Sequence, residues 1–258
     1  MSRLRAKCPD CKTNTAVALG PEYQCHSCGR QFRAGLVRVP RAWGRGGEAM
    51  EAAARVPFDY PEAAVVEEDT LADQNLALAA ELPYRPLVAG GDCCAHVGAV
   101  EGLAARHDDL AVVWLDAHGD LNTPETSPSG NEWGMPLRML IDARTVSPEN
   151  VALVGARNLD PAEEEFIAAS GIHLGEDAVE RAVEDRECVY VALDVDSLDP
   201  AEYAPFMPEP DGLTVDEVAT LFARLCEEKT ILGLGISGST PEPGNVPKLH
   251  RLAAALGL

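Results

Sequence analysis

The sequence predicts an α/β protein with a mostly parallel sheet covered on both faces, preceded by a small zinc ribbon. Three observations carry this. Short β-branched apolar runs alternate with helical segments along most of the 258 residues. Three of those runs end in clustered metal-binding side chains, at the edge where open parallel sheets keep their ligands. Four N-terminal cysteines stand in two C-x-x-C pairs. A hydrophobic fraction of 46% is enough to bury a full core.

Taken in order, Cys8-x-x-Cys11 and Cys25-x-x-Cys28 are separated by 13 residues, the spacing of a four-thiolate structural zinc site. Gly29 follows the second pair, where such a knuckle tolerates left-handed backbone. His26 lies between two of the cysteines and reads as a surface residue. A closed site of this kind serves folding and docking, not catalysis. Cys94, Cys188 and Cys226 read as small buried residues.

Charge is uneven. Residues 1–46 carry nine Lys and Arg against Asp10 and Glu22, leaving +7, so residues 47–258 hold −28 within a chain total of −21. The basic ribbon could attract nucleic acid, but the acidic body would repel it. The expectation is therefore no nucleic-acid partner, with the ribbon docked on its own body or on a second subunit. No apolar run approaches the ~20 residues of a membrane span. Cysteines, not an apolar signal core, follow Met1-Ser-Arg-Leu-Arg-Ala-Lys7, so no membrane partner and a cytoplasmic location are expected.

The passage into the main body has a strand at Leu36–Val39, a turn at Gly44-Arg-Gly-Gly47 and an alanine-rich helix to about Arg55. The segment 71–82 is a helix whose apolar positions are Leu71, Leu76, Leu78, Ala79 and Leu82. Further helices are expected near 94–106, 134–143, 161–170, 177–185, 214–228 and 246–257, and later strands near 150–155, 188–193 and 230–236.

The run Leu110-Ala-Val-Val-Trp-Leu115 reads as a buried parallel strand. It leads into Asp116, His118 and Asp120, which point the same way if the chain stays extended. The run Cys188–Leu193 ends in Asp194 and Asp196, and Pro86–Ala89 ends in Gly90-Gly91-Asp92-Cys93-Cys94. Leaving these carboxylates unpaired at one sheet edge would be costly, so one or two bound divalent cations are expected.

The motifs Gly90-Gly91-Asp92, Asp116-Ala-His118-Gly-Asp120-Leu-Asn122-Thr-Pro124, Ser129-Gly130-Asn131, Gly155-Ala-Arg157-Asn-Leu-Asp160-Pro161 and Leu193-Asp194-Val-Asp196-Ser-Leu-Asp199-Pro200 resemble, in family order, those of the ureohydrolases: arginase, agmatinase and formiminoglutamase. The resemblance covers roughly residues 85–243. It implies a three-layer α/β/α domain over residues 36–258, following a ribbon over 1–35. It also implies a two-metal centre, usually manganese, that activates a bridging water as a metal-bound hydroxide to hydrolyse a guanidino or amidino C–N bond. Carried over residue by residue, the metal ligands are Cys93, Asp116, His118, Asp120, Asp194 and Asp196. The catalytic candidates are Asp120, which would also orient the hydroxide, and His118. Asn122, Ser127 and Ser129 match positions that hold the substrate's amino-acid end in arginase, and Asp160 the one that meets its amino group. The implied partner is a small cationic substrate. Family members are often trimers or hexamers, so a homo-oligomer is compatible with the resemblance.

Three positions depart from the family pattern. Cys93 stands where the family has histidine; as a thiolate it favours zinc or iron over manganese, and as a protonated thiol it leaves only the second metal position filled, by Asp116, His118, Asp194 and Asp196. Four aspartates balance two divalent ions, so a fifth anion would leave the cluster at −1 and weaken activation of bound water. His96, three residues on, reads as a solvated helix residue. Trp133 replaces a proton-shuttling histidine; an indole offers only an N–H donor, but it can wall the pocket and stack on a planar cation. Gly238 falls where the family grips the guanidinium with glutamate, and Glu242 is the carboxylate the sequence offers in its place. These departures keep two alternatives open: a catalytically silent metalloprotein of this fold with a structural or regulatory role, and a single-zinc deacetylase-like amidohydrolase.

Overall fold

The computed structural model describes residues 5–19, 22–32, 35–58, 60–175 and 177–258. Strands β1 (Arg5–Ala6), β2 (Ala16–Leu19), β3 (Glu22–Cys25) and β4 (Gln31–Phe32) form a separate antiparallel sheet in sequence order. Its core is small: Ala6, Cys8, Ala16, Tyr23, Cys25 and Phe32.

The main sheet has eight strands: β5 (Leu36–Val39), β6 (Glu62–Val65), β7 (Leu87–Gly90), β8 (Leu110–Leu115), β9 (Val151–Val154), β10 (His173–Leu174), β11 (Cys188–Asp194) and β12 (Thr230–Ser237). Their order is β10-β9-β8-β11-β12-β7-β5-β6, and every neighbouring pair is parallel. Parallel strands require crossovers, which bring helices onto both faces and bury both sets of alternating side chains.

On one face, Val113, Leu115, Val191 and Leu193 pack under helices α6 (Ala178–Val183), α7 (Val215–Glu228) and α8 (Val246–Ala255). On the other, Val112, Trp114, Tyr190 and Ala192 meet helices α2 (Leu71–Glu81), α3 (Ala95–Ala104) and α4 (Pro136–Asp142). This is a three-layer α/β/α arrangement. The remaining helices are α1 (Glu48–Ala53) and α5 (Pro161–Ser170). The two sheets touch where Lys7 N–H donates to the Glu62 carbonyl at 2.9 Å and Ala63 of β6 joins the small core.

The structure departs from the sequence reading in several places. Strands β6 and β10 are not anticipated, being short edge strands with too few residues to show a period. Leu76 of α2 points outward at 69% exposure while Gln74 is fully buried, its Oε1 accepting from the Trp43 indole at 3.0 Å. Cys226, expected in the core, is exposed on α7. His96, expected in solvent, is fully buried. It lies on the sheet-facing side of α3 against Trp114 and Tyr190, while on another side of the helix Gly98 and Gly102 let α2 approach so closely that a Cβ at Gly98 would stand 2.7 Å from the Asn75 carbonyl oxygen.

Candidate metal centre

Four neighbouring strands, β8, β11, β12 and β7, bring their carboxyl ends together, and every ligand candidate leaves this edge. Leu115 pairs with Leu193, which sets Asp116 beside Asp194, and Asp194 pairs with Ser237. Strand β7 ends in Gly90, and the turn after it carries Asp92 and Cys93. Asp92 is a support: its carboxylate accepts from the backbone N–H groups of Trp43 and Cys94, and burial pushes it up to about 7.

The Asp116–Asp120 segment is not extended. Asp116 Oδ1 accepts from His118 N–H at 2.7 Å, and Asp120 has φ 53°, in the left-handed region. A turn, not period-two geometry, aims these side chains at one point, and a short polar residue such as aspartate tolerates that backbone. A similar local turn follows Asp194, whose Oδ1 accepts from Asp196 N–H at 2.9 Å.

Two overlapping groups result, each with ligand atoms within 4.8 Å of one another: Cys93, Asp116 and Asp120, and Asp116, His118 and Asp196. Asp116 belongs to both. The sulfur of Cys93 lies 2.9 Å from Asp194 Oδ2 and 3.8 Å from Asp116 Oδ2. His118 Nδ1 lies 3.0 Å from Asp196 Oδ2 and 3.4 Å from Asp116 Oδ1. All six side chains that the sequence nominated as ligands therefore converge.

The electrostatics are those of a site built for cations. Burial raises Asp194 to about 7 and Asp196 to about 6. It drives Asp120 well above the usual carboxylate range, reinforced by the charges of Asp116 and Asp194. Burial opposes protonation of His118, but its contacts with Asp116 and Asp196 outweigh that and carry it up to about 12. Asp120 Oδ2 is buried with no hydrogen-bond partner among the described residues. An orphaned buried carboxylate oxygen is expensive unless a ligand completes it. Oxygen, nitrogen and sulfur donors around it suit divalent metals.

The centre opens into a cavity of about 270 Å³. Asn122, Ser127, Ser129, Trp133 and Asp160 line it, as the sequence expects. Asn122 donates from Nδ2 to Asp160 Oδ2 at 2.9 Å, and Asp160 caps α5. The Trp133 ring stands edge-on to Phe206, with Met50 and Met207 completing an apolar wall. Glu242 is exposed and does not line the cavity. Gly238 does, with φ +69°, and a Cβ there would meet Asp194 Oδ1 at 2.2 Å. No carboxylate can project from that position without displacing Asp194.

Sequence reasoning missed four contributors. Glu209 Oε1 lies 3.6 Å from His118 Nε2 and accepts from Asn158 Nδ2 at 3.0 Å. Arg157 holds that loop by donating to the carbonyls of Glu209 and Pro210. Ser237 contacts Cys93 and Asp194 at 3.1 and 3.2 Å. Nothing in the local sequence marks Glu209 or Ser237, and Arg157 stands in a quoted motif without a role assigned to it. Glu163, whose carboxylate accepts from Leu121 and Asp160 N–H at 2.9 Å each, was legible as the partner of Asp160 in a capping box.

At the N-terminus, the sulfurs of Cys8, Cys11, Cys25 and Cys28 gather within 4.8 Å. Cys8 and Cys28 approach to 3.6 Å, Cys11 and Cys25 to 3.5 Å. Each knuckle turns through a left-handed residue directly after its second cysteine, Lys12 at φ 59° and Gly29 at φ 77°.

Comparison with known proteins places this geometry. The model of the family described as "Arginase family" matches residues 50–257. An arginase of Staphylococcus aureus (strain COL) is 40% identical over 142 residues, 45% of this chain and 47% of that protein. An arginase of Bacillus caldovelox is 37% identical over 174 residues, 57% and 58% of the two chains. The chain thus spans about half the length of the curated relatives it matches. Among solved structures, arginase from Bacillus subtilis superimposes with a TM-score of 0.76 at 25% identity, over 86% of this chain and 97% of that one. The proclavaminate amidino hydrolase of Streptomyces clavuligerus, at 23% identity, shares the fold with a TM-score of 0.68 over 86% and 89%.

Proposed function

The chain belongs to the arginase family, and on that premise we propose that it is a metal-dependent hydrolase cleaving a linear C–N bond of a small guanidino or amidino compound. The observation that carries this is the convergence of Cys93, Asp116, His118, Asp120, Asp194 and Asp196 beneath one cavity, with Asp120 Oδ2 left unpartnered. Divalent cations there would supply Lewis-acid activation of water at neutral pH.

The chain's own residues supply the rest. Asp116 lies between both groups, and its Oδ2 also accepts from the Trp114 indole at 3.2 Å, which fixes the carboxylate. Asp120 presents its free oxygen to the cavity, where it can take a proton from a water and pass it on. Glu209 faces His118 Nε2 at 3.6 Å and holds that edge of the imidazole. Asn122 and Asp160, tied to each other, offer an acceptor to an amino group. Trp133, Phe206, Met50 and Met207 close the cavity with apolar surface that excludes water and can stack on a planar cation. With Gly238 in place of a gripping carboxylate, the reading favours a substrate shaped differently from arginine. The four N-terminal thiols suit a closed structural zinc site, and residues 1–35 are read as a ribbon docked through β6.

The test is release of urea or ammonia from a panel of guanidines and amidines by the metal-loaded chain. Turnover of at least one compound is expected, falling about 100-fold or more in Asp120→Asn and Asp196→Asn. Turnover equal to wild type in both variants, or none on any compound with the centre fully loaded, would refute the reading.

A further inference from the structure

Cys93 sits in the turn between β7 and α3 with 4% of its surface exposed, inside the cluster that holds Asp116 and Asp120. Behind it runs a buried chain of three side chains. Tyr190 OH lies 3.1 Å from His96 Nδ1, His96 Nε2 lies 3.0 Å from Ser237 Oγ, and Ser237 Oγ lies 3.1 Å from Cys93 Sγ. Burial holds His96 neutral, so it carries one ring proton. One arrangement serves every group: the Tyr190 hydroxyl donates to Nδ1, the Nε2–H donates to Ser237, and the Ser237 hydroxyl is left to donate to Asp194 Oδ2 at 3.2 Å or to Cys93 Sγ at 3.1 Å. The backbone makes room for this. A Cβ on Gly235 would stand 2.2 Å from the Tyr190 oxygen and 2.3 Å from His96 Nδ1. The imidazole thus occupies the layer beneath the cluster, and Ser237 separates it from the ligand atoms. The chain of donors ends beside a sulfur that also faces two carboxylates.

Resting on the metal-centre reading above, we infer that Cys93 binds its ion as a thiolate, which makes the Cys93/Asp116/Asp120 position selective for a thiophilic ion, zinc or ferrous iron, over manganese. The Asp116/His118/Asp196 position remains an oxygen and nitrogen site. On binding, the Cys93 S–H proton leaves to solvent and a sulfur–metal bond forms with no change in oxidation state. The Ser237 hydroxyl then donates to the sulfur, and the His96–Tyr190 pair keeps that donor aimed. Soft sulfur favours zinc and ferrous iron, whereas manganese prefers carboxylate and water. The two halves of one centre therefore differ in preference.

Cadmium NMR on the full chain reads the ligand set directly, because each thiolate moves the resonance downfield. Wild type should give three signals: one far downfield from the four-cysteine site, one intermediate from a single thiolate, and one upfield from oxygen and nitrogen ligands. Cys93→Ser should abolish only the intermediate signal. Cys93→His, which restores an imidazole, should move it upfield. The same variant should lower the zinc-over-manganese preference at that position by about tenfold or more in competition dialysis. Two upfield signals in wild type, with no intermediate one, would overturn the inference and leave the metal centre standing. The far-downfield signal alone would overturn the metal centre and this inference together.

Discussion

At the scale of single residues, Gly238 decides the most. Its left-handed backbone and the 2.2 Å approach of an added Cβ to Asp194 mean that the site is built around the missing side chain. Gly238→Glu, the substitution that would restore the family's residue, should therefore not improve arginine hydrolysis. It should displace Asp194, remove at least one metal ion per chain, and cost about 1–3 kcal/mol of stability. Metal analysis and thermal unfolding on the same sample check this; raised arginine turnover with metal content intact would contradict it. The candidate ligands were readable because D-x-H-x-D and D-x-D are local patterns at strand ends. Cys93 was readable only as a departure from a family pattern. The roles of His96, Tyr190 and Ser237 were not readable, because α3, β11 and β12 bring them together across 94 to 141 residues of sequence, and Glu209 reaches His118 from a separate loop. The backbone reversal at Asp120 was equally hidden, since aspartate tolerates but does not demand a positive φ.

At the scale of elements, the long apolar strands and the amphipathic helices were legible from period alone. Strand β8 occupies the predicted 110–115 and helix α5 the predicted 161–170. The short edge strands β6 and β10 were not, and neither was the tight α2–α3 contact, which depends on what is absent at Gly98 and Gly102. That contact has a consequence for the site, because α3 begins two residues after Cys93. Gly98→Val should push α2 and α3 apart at a cost of about 1–3 kcal/mol, through overpacking against the Asn75 backbone. Denaturant unfolding reads the loss. A midpoint unchanged within error would show that the helices give way freely and that the contact is not tight.

At the scale of the whole molecule, a strongly acidic body gathers five buried aspartates, Asp92, Asp116, Asp120, Asp194 and Asp196, at one edge of the sheet. A small basic sheet is bonded to the lateral edge of that sheet, at the start of β6. The sequence alone separated the two units by charge and by cysteine spacing, but not the backbone contact that joins them. No helix among the described residues is long and apolar enough to cross a membrane. The family match spans residues 50–257, which lie beyond the four cysteines in sequence. On the proposed reading, two ions beneath the cavity and one at the four cysteines are the expected load. Native mass spectrometry of the full chain, loaded with divalent metal and exchanged into volatile buffer, counts the ions directly. Three ions per chain are expected, falling to one in an Asp194→Asn, Asp196→Asn double variant. A wild-type chain that holds a single ion, lost only when Cys25 is replaced, would contradict the account.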